Sequence, residues 1–247
     1  MYNQQTNLAK SPSLKGGSGG INHSTGTCIS GIYRRFLGFL NDCFFFVLKA
    51  TGVILLRVFY PVRIENRRLI PLQGPLIVAA NHFSYMDPIV LQVVFPRRIF
   101  FMMTEIYYEG RGKWFFQLLH CICVKEKGSN IAALREGLEV LKKNFVLGIF
   151  PEGGVSKEGC LRAGDPGVGF LAAKSGAPVI PAFISGTYEA LPKGAKIPKI
   201  SRIKVTFGKP LIFDNIENKE NKRGIVEITR SIMEHIEKLS FSDKQTK

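Results

Sequence analysis

The chain has 247 residues, 45% of them hydrophobic, with 34 Lys plus Arg against 19 Asp plus Glu and a formal net charge of +15. That is enough chain and enough apolar side chain for one large domain, and with an odd count of five cysteines it excludes a small disulfide-stapled scaffold. The positive excess favours anionic partners. Long apolar stretches lie beside the basic residues, and zinc-finger spacing, RNA-binding aromatic signatures and tandem repeats are missing, so the expected partner is a membrane surface and not nucleic acid.

Residues 1–30 are rich in Gly, Ser, Asn, Thr and Gln and lack apolar periodicity, the composition of a disordered leader. They do not read as a secretory signal, because no apolar core follows promptly after their basic residues. Residues 31–61 form a second segment, apolar but interrupted by Asn41, Asp42, Lys49 and Arg57. A spanning helix wants about 20 predominantly apolar residues with few charges. The segment is therefore expected to be one bent helix, or two short ones broken near Gly52, lying in one leaflet with Arg34, Arg35, Lys49 and Arg57 at the headgroups. The alternatives are a helix packed on the globular domain and a single span.

From residue 62 to 247 the pattern is that of one α/β domain. Strands are expected at 75–80, 98–103, 120–125, 145–150, 178–184 and 202–207, and helices at 88–94, 111–118, 129–143, 166–175 and 223–239. The alternation predicts a mixed or mostly parallel sheet covered by helices. Ile225, Ile228, Ile232, Ile236 and Leu239 give the last helix its apolar stripe.

The first strand runs directly into Asn81-His82-Phe83-Ser84-Tyr85-Met86-Asp87-Pro88. Five residues cannot place His82 and Asp87 on one helix face, but a turn can bring them together. Pro88 disfavours helical backbone at Asp87 and suits the start of a new helix. His82 is thus expected on a strand-to-helix turn. An imidazole held by a carboxylate deprotonates hydroxyls near neutral pH. The plainer alternative is that Asp87 only caps backbone N–H groups.

Further along, Cys121 and Cys123 share one face if 120–125 is a strand, and buried free thiols account for them better than a metal site, whose fourth ligand is missing. Val124-Lys125-Glu126-Lys127-Gly128 is a basic turn, and Phe150-Pro151-Glu152-Gly153-Gly154 ends a buried strand. Glycines there allow N–H groups to approach an anion. Trp114, Phe115 and Phe116 read as core or membrane contact more readily than as an acyl channel.

Asn-His-x4-Asp-Pro, an apolar–basic turn, Phe-Pro-Glu-Gly and Pro178-Val179-Ile180-Pro181, in that order, resemble the glycerolipid acyltransferase family, the lysophosphatidate type in particular. The resemblance covers residues 62–213 and includes Glu158-Gly159-Cys160-Leu161 and Phe207-Gly208-Lys209-Pro210. It implies acyl transfer from a thioester, acyl-CoA or acyl carrier protein, to the free hydroxyl of 1-acyl-sn-glycerol 3-phosphate. It also implies a monotopic enzyme on the cytoplasmic face of the bilayer, with no metal or prosthetic group. Base and orienting carboxylate carry over to His82 and Asp87. The phosphate-binding role carries to Lys127, or to Lys125 if the register slips, and acceptor binding to Glu152 and Gly153, with Gly154 beside them.

Three positions depart from the family pattern. Gly154-Val155-Ser156 stands where Thr-Arg-Ser is usual, Asp165 stands where a Lys is usual, and Lys127 replaces an Arg. Lys157 or Arg162 is expected to restore the missing charge. Other acceptors (glycerol 3-phosphate, a lyso-glycolipid, an amino-acid lipid) and a non-catalytic lipid-binding module remain as alternatives.

Overall fold

The computed structural model describes residues 25–109, 113–125, 130–214 and 220–244. Its centre is a seven-stranded sheet in the order β1-β7-β6-β2-β5-β3-β4. The strands are β1 (Val62–Glu65), β2 (Leu76–Ala80), β3 (Ile99–Thr104), β4 (Ile122–Val124), β5 (Val146–Ile149), β6 (Val179–Ser185) and β7 (Ile203–Phe207). β2 runs parallel to β5 and β6, and β3 runs parallel to β5 and β4. β7 is antiparallel to β6 and parallel to β1, so the sheet is mixed. The C-terminal ends of β2 to β6 therefore open on a single edge, the edge where open α/β sheets bind ligands.

Every residue of β2 is buried, which is why its sequence is a continuous apolar run and not an alternation. Leu76, Val78 and Ala80 face one core and Ile77 and Ala79 the other. The first core is closed by α2 (Asp87–Val94) through Val90, Leu91 and Val94. The second is closed by α5 (Ile131–Lys142), α6 (Gly167–Ser175) and α8 (Lys222–Lys244). Ile228, Ile232 and Ile236 of α8 are fully buried in it, and Ile225 and Leu239 flank them at intermediate exposure.

The N-terminal helix α1 (Thr25–Phe59) departs from expectation in three ways. It starts inside the stretch read as a leader, whose residues 1–24 lie outside the described residues. It also runs through Gly52 without a break. A helical glycine costs roughly 1 kcal/mol against alanine, but a Cβ on Gly52 would come within 2.9 Å of Val93 Cγ2, so close packing on α2 explains the residue. Finally, Lys49 does not reach for headgroups: its Nζ donates to Phe95 O at 2.6 Å, and burial, then Arg67, lowers its pKa. From Cys43 onward the helix belongs to the compact body, and Phe45, Lys49, Gly52 and Leu56 form one stripe against it. The expected headgroup side chains of Arg34, Arg35 and Arg57 lie outside the description.

The third expected strand is also shorter than predicted. His120 has φ 55° and ends α4 (Lys113–Leu118), with Cys121 N donating to Phe116 O at 2.9 Å. The strand begins only at Ile122. Cys121 is buried and its thiol is pushed up to about 11, as expected of an inert packed cysteine.

Gly148 of β5 is the tightest place in the centre of the sheet. A Cβ there would lie 2.5 Å from Phe101 Cδ1 and 2.6 Å from Ile99 Cγ2. Gly148→Ala is expected to lower the unfolding free energy by about 1–3 kcal/mol, measured by urea denaturation, because neither ring nor β-branched methyl can move far in a packed core.

Candidate active site

The strand β2 ends at Ala80, and the next residues are locked before the chain can wander. Asn81 is fully buried and reads the neighbouring strand: its Nδ2 donates to Ile184 O at 2.9 Å and its Oδ1 accepts from Ile184 N at 2.7 Å. His82 therefore leaves the sheet in a fixed direction. Asp87, the first residue of α2, is also fully buried. Its Oδ2 accepts from Phe83 N at 2.7 Å and Ser84 N at 2.8 Å and meets His82 Nδ1 at 3.0 Å. The capping reading and the base-orienting reading are thus one arrangement. The backbone N–H groups come from the turn before the helix and fold that turn around the carboxylate.

The His82 ring is held on its face as well as at Nδ1. It stacks on Phe150 with ring centroids 4.1 Å apart and an 18° interplanar angle, and Phe150 in turn stacks on Phe101 at 5.9 Å and 6°. The side chain keeps 14% exposure while that of Asp87 has 0%. Among the described residues Nε2 has no hydrogen-bond partner. An imidazole anchored at one nitrogen and open at the other is what proton transfer at Nε2 requires.

The strand-end motif after β5 lies directly against this turn. Glu152 Oε1 accepts from His82 N at 2.9 Å, and Ser156 N donates to His82 O at 2.8 Å. Glu152 is closed off from solvent, and its Oε2 meets Arg162 Nε at 3.4 Å. Arg162 Nη2 donates to Glu152 O at 3.3 Å and to Gly154 O. Glu152 is therefore a bracket between the histidine turn and a half-exposed guanidinium, with its carboxylate turned inward. Gly153 has φ 70°, with Gly153 N bonded to Phe150 O at 3.1 Å; the left-handed backbone there suits glycine. Gly154 supplies a carbonyl to Arg162.

Arg162 thus bonds the carbonyl immediately before Val155, the buried residue that stands where the family pattern has an Arg. Asp165 has acquired a different task. Its Oδ1 accepts from Gly167 N at 2.8 Å at the start of α6, where a carboxylate is favoured.

Lys125 is brought to the same edge but not into this cluster. It is exposed, its N–H bonds Asn130 Oδ1 at 2.9 Å, and it follows β4, three strands from β2. At about 4.8 Å per strand that is roughly 14 Å across the sheet. Lys127 lies outside the described residues. Residues that the motifs alone did not single out are Phe150 as the ring under His82 and Ser84, whose Oγ donates to Leu191 O at 2.7 Å. The aromatic residue immediately before Pro151 was the available signal for the first; nothing in the sequence marked the second.

A fold of this topology, with a His–Asp pair at the open edge of its sheet, matches a known class. The family model described as Acyltransferase matches residues 61–185, and the chain belongs to that family. Two kinds of relative narrow the comparison. The chain is 28% identical over 170 residues to a chloroplastic 1-acyl-sn-glycerol-3-phosphate acyltransferase of Arabidopsis thaliana, covering 67% of this chain and 48% of that protein. It is 24% identical over 183 residues to the 1-acyl-sn-glycerol-3-phosphate acyltransferase of Bacillus subtilis, covering 72% and 87%. Among solved structures it is similar to the 1-acyl-sn-glycerophosphate acyltransferase PlsC of Thermotoga maritima, with a TM-score of 0.66, 26% identity, and 83% and 88% of the two chains covered. The chain spans about half the length of the plant relatives it matches.

Burial raises the pKa of Glu152 above its ordinary 4.5, opposed by the His82 N–H and by Arg162. A carboxyl with a raised folded-state pKa binds more protons when folded, so its contribution to stability is full below the unfolded value and is lost as pH rises through the folded one. Glu152→Gln keeps an acceptor for His82 N and removes this titration. The difference in unfolding free energy, variant minus parent, should therefore move in the variant's favour between pH 4 and pH 7, read by denaturation at a series of pH values.

Proposed function

We propose that the protein transfers a fatty acyl group from a thioester to the free hydroxyl of 1-acyl-sn-glycerol 3-phosphate. The observation that carries the reading is His82, bound at Nδ1 by a buried carboxylate, braced on Phe150 and open at Nε2. The named activities of the Arabidopsis, Bacillus and Thermotoga relatives support the acceptor.

In this reading Nε2 of His82 takes the proton from the acceptor hydroxyl as its oxygen attacks the thioester carbonyl. Asp87 keeps the proton on Nδ1 and stabilises the imidazolium that forms. The tetrahedral intermediate collapses with cleavage of the C–S bond. The new ester leaves on the acceptor, and the proton on Nε2 goes to the departing thiolate of coenzyme A or acyl carrier protein. No covalent acyl-enzyme is formed. Arg162 receives the acceptor phosphate, Glu152 positions Arg162 relative to His82, and Lys125 adds positive charge farther along the same sheet edge.

The described part of α1 supports attachment to the bilayer from one side. Among the described residues no helix is long and apolar enough to cross a membrane. Yet Phe46, Val47, Ile54, Leu55, Val58 and Phe59 are exposed. Val47, Ile54 and Val58 fall at helical spacing opposite the stripe that packs on the body, and Phe46 and Leu55 lie at the sides of that face. Residues 31–61 then lie in one leaflet on the cytoplasmic side, ahead of the acyltransferase domain at 62–247.

His82→Ala should lower the turnover number by about 10²–10⁴-fold, followed as free thiol released from an acyl-CoA, with its circular dichroism spectrum unchanged. Parent-level turnover in that variant ends the general-base reading. Arg162→Ala should raise KM for the phosphorylated acceptor by about one decade and leave donor KM alone. Equal acylation of uncharged lyso-lipids by the parent would instead favour a lyso-glycolipid acceptor. A further expectation concerns attachment: apolar contact survives high salt, where the Debye length falls to about 3 Å. Phe46→Ser combined with Val58→Ser should reduce the fraction of protein that stays with membranes after a 1 M salt wash.

A further inference from the structure

Among the described residues the two most exposed large hydrophobic residues are not on α1. They are Ile197 at 80% and Ile200 at 78% exposure. Both stand in residues 191–202, between α7 (Thr187–Ala190) and β7, a stretch without regular structure. Unstructured connections of this length within a compact domain are uncommon and are often functional. Its sequence, Leu-Pro-Lys-Gly-Ala-Lys-Ile-Pro-Lys-Ile-Ser-Arg, carries Lys193, Lys196, Lys199 and Arg202 and no acidic residue. All of 193–200 is exposed.

The segment is nevertheless held in place. Ala195 N donates to Pro192 O at 3.0 Å, and Lys199 N returns to Ala190 O at 2.7 Å. Its near end is tied to the candidate site: Ser84 Oγ, three residues before Asp87, donates to Leu191 O, and Lys193 Nζ reaches Val155 O at 3.5 Å. Its far end meets the end of α1, where Ile203 N donates to Pro61 O at 3.0 Å. The exposed Val58 and Phe59 immediately precede that junction.

We infer that residues 191–202 form a second membrane-contact element that inserts Ile197 and Ile200 into the surface of an anionic bilayer beside His82. An isoleucine standing nearly free in water, flanked on both sides by lysines, has the amphipathic composition that suits a headgroup boundary. Apolar tips enter the acyl boundary while the ammonium groups stay with lipid phosphates. The alternation of single apolar residues with cations on an exposed loop offers no groove for a protein segment. Its continuity with the apolar end of α1 makes one lipid-facing edge from two elements far apart in sequence. The consequence is orientational: α1 alone leaves the body free to tilt, whereas a second contact next to the histidine turn directs the open edge of the sheet at the headgroups.

The test uses the full chain and sedimentation with vesicles of equal parts phosphatidylcholine and phosphatidylglycerol. Ile200→Trp adds an indole at the loop, read as the difference from the chain carrying only Trp114. The added indole is expected to emit at shorter wavelength on vesicle binding and to be quenched by brominated acyl chains. Ile197→Ser with Ile200→Ser should lower the partition coefficient about tenfold. Lys196→Gln with Lys199→Gln should lower it by at least about tenfold at low salt and little at high salt. An added indole that stays red-emitting and unquenched while the chain sediments with vesicles overturns the inference. So does a blue shift caused by an acidic carrier protein without vesicles, which would assign the loop to protein docking. These readouts measure binding alone, so their failure leaves the acyl-transfer reading standing and a catalytically dead protein still reports on them.

Discussion

The buried carboxylate of Asp87 is the point from which the rest of the site is built. A carboxylate with no exposure is costly unless its oxygens are hydrogen-bonded. Here Oδ2 gathers the N–H groups of Phe83 and Ser84 and the Nδ1 edge of His82, while Oδ1 has no hydrogen-bond partner among the described residues. The unequal use of its two oxygens means that one atom sets both the shape of the turn and the orientation of the ring. Backbone and imidazole cannot be adjusted separately. The spacing of five residues follows from this: the carboxylate has to be far enough along the chain to start a helix and near enough to fold back on the strand end.

A second set of contacts joins that turn to the one after β5. Glu152 is an acceptor for His82 N, and Ser156 N is a donor to His82 O, so both backbone groups of the histidine are bonded to the neighbouring loop. This arrangement depends on β2 and β5 being adjacent and parallel, with Ala79 beside Ile149 in register. The ring stack of His82, Phe150 and Phe101 adds a lateral restraint that runs into the close contact around Gly148. A change of packing in the middle of the sheet is thereby transmitted to the ring through rigid aromatic groups. Arg162 enters from the other side through the same Glu152 carboxylate, which couples the location of positive charge to the histidine turn without a direct contact between the two.

Much of this was legible in the sequence because buried strands and the residues at their ends leave strong marks. Continuous apolar runs gave β2, β5 and β6, and Pro88 located the start of α2 to within one residue. The weaker marks belong to elements held by tertiary contact. β1 is a mostly exposed edge strand of four residues whose pairing with β7 defines it. α3 (Glu105–Tyr108) and α7 are single turns with no room for a period. Gly52 looked like a break because local propensity disfavours it, but Val93 gives it a packing reason. Lys49 looked like a headgroup ligand because its charge is visible in sequence, whereas the Phe95 carbonyl that receives it is 46 residues away. The Glu152 bracket was hidden for the same reason: its partners His82 and Arg162 lie 70 and 10 residues away.

The charge of the chain takes on a more specific meaning once the fold is known. A net charge of +15 by itself describes solubility and a preference for anions. In the structure a share of the basic residues is committed to holding the body together. Lys49 bonds a helix-end carbonyl, and Arg97 bonds the carbonyls of Pro71, Gly74 and Asn144. Such groups are fixed by geometry and contribute to the far field without meeting a ligand. The cations of residues 193–202 are placed differently, on exposed backbone at the open end of the sheet, next to apolar side chains that water does not favour. Charge of this second kind costs little to keep in solution and gains most at an interface where phosphate and hydrocarbon lie a few ångströms apart. The exposed apolar residues at the end of α1 and the isoleucines and cations of the loop before β7 therefore give the open edge of the sheet the composition that suits a boundary between water and hydrocarbon.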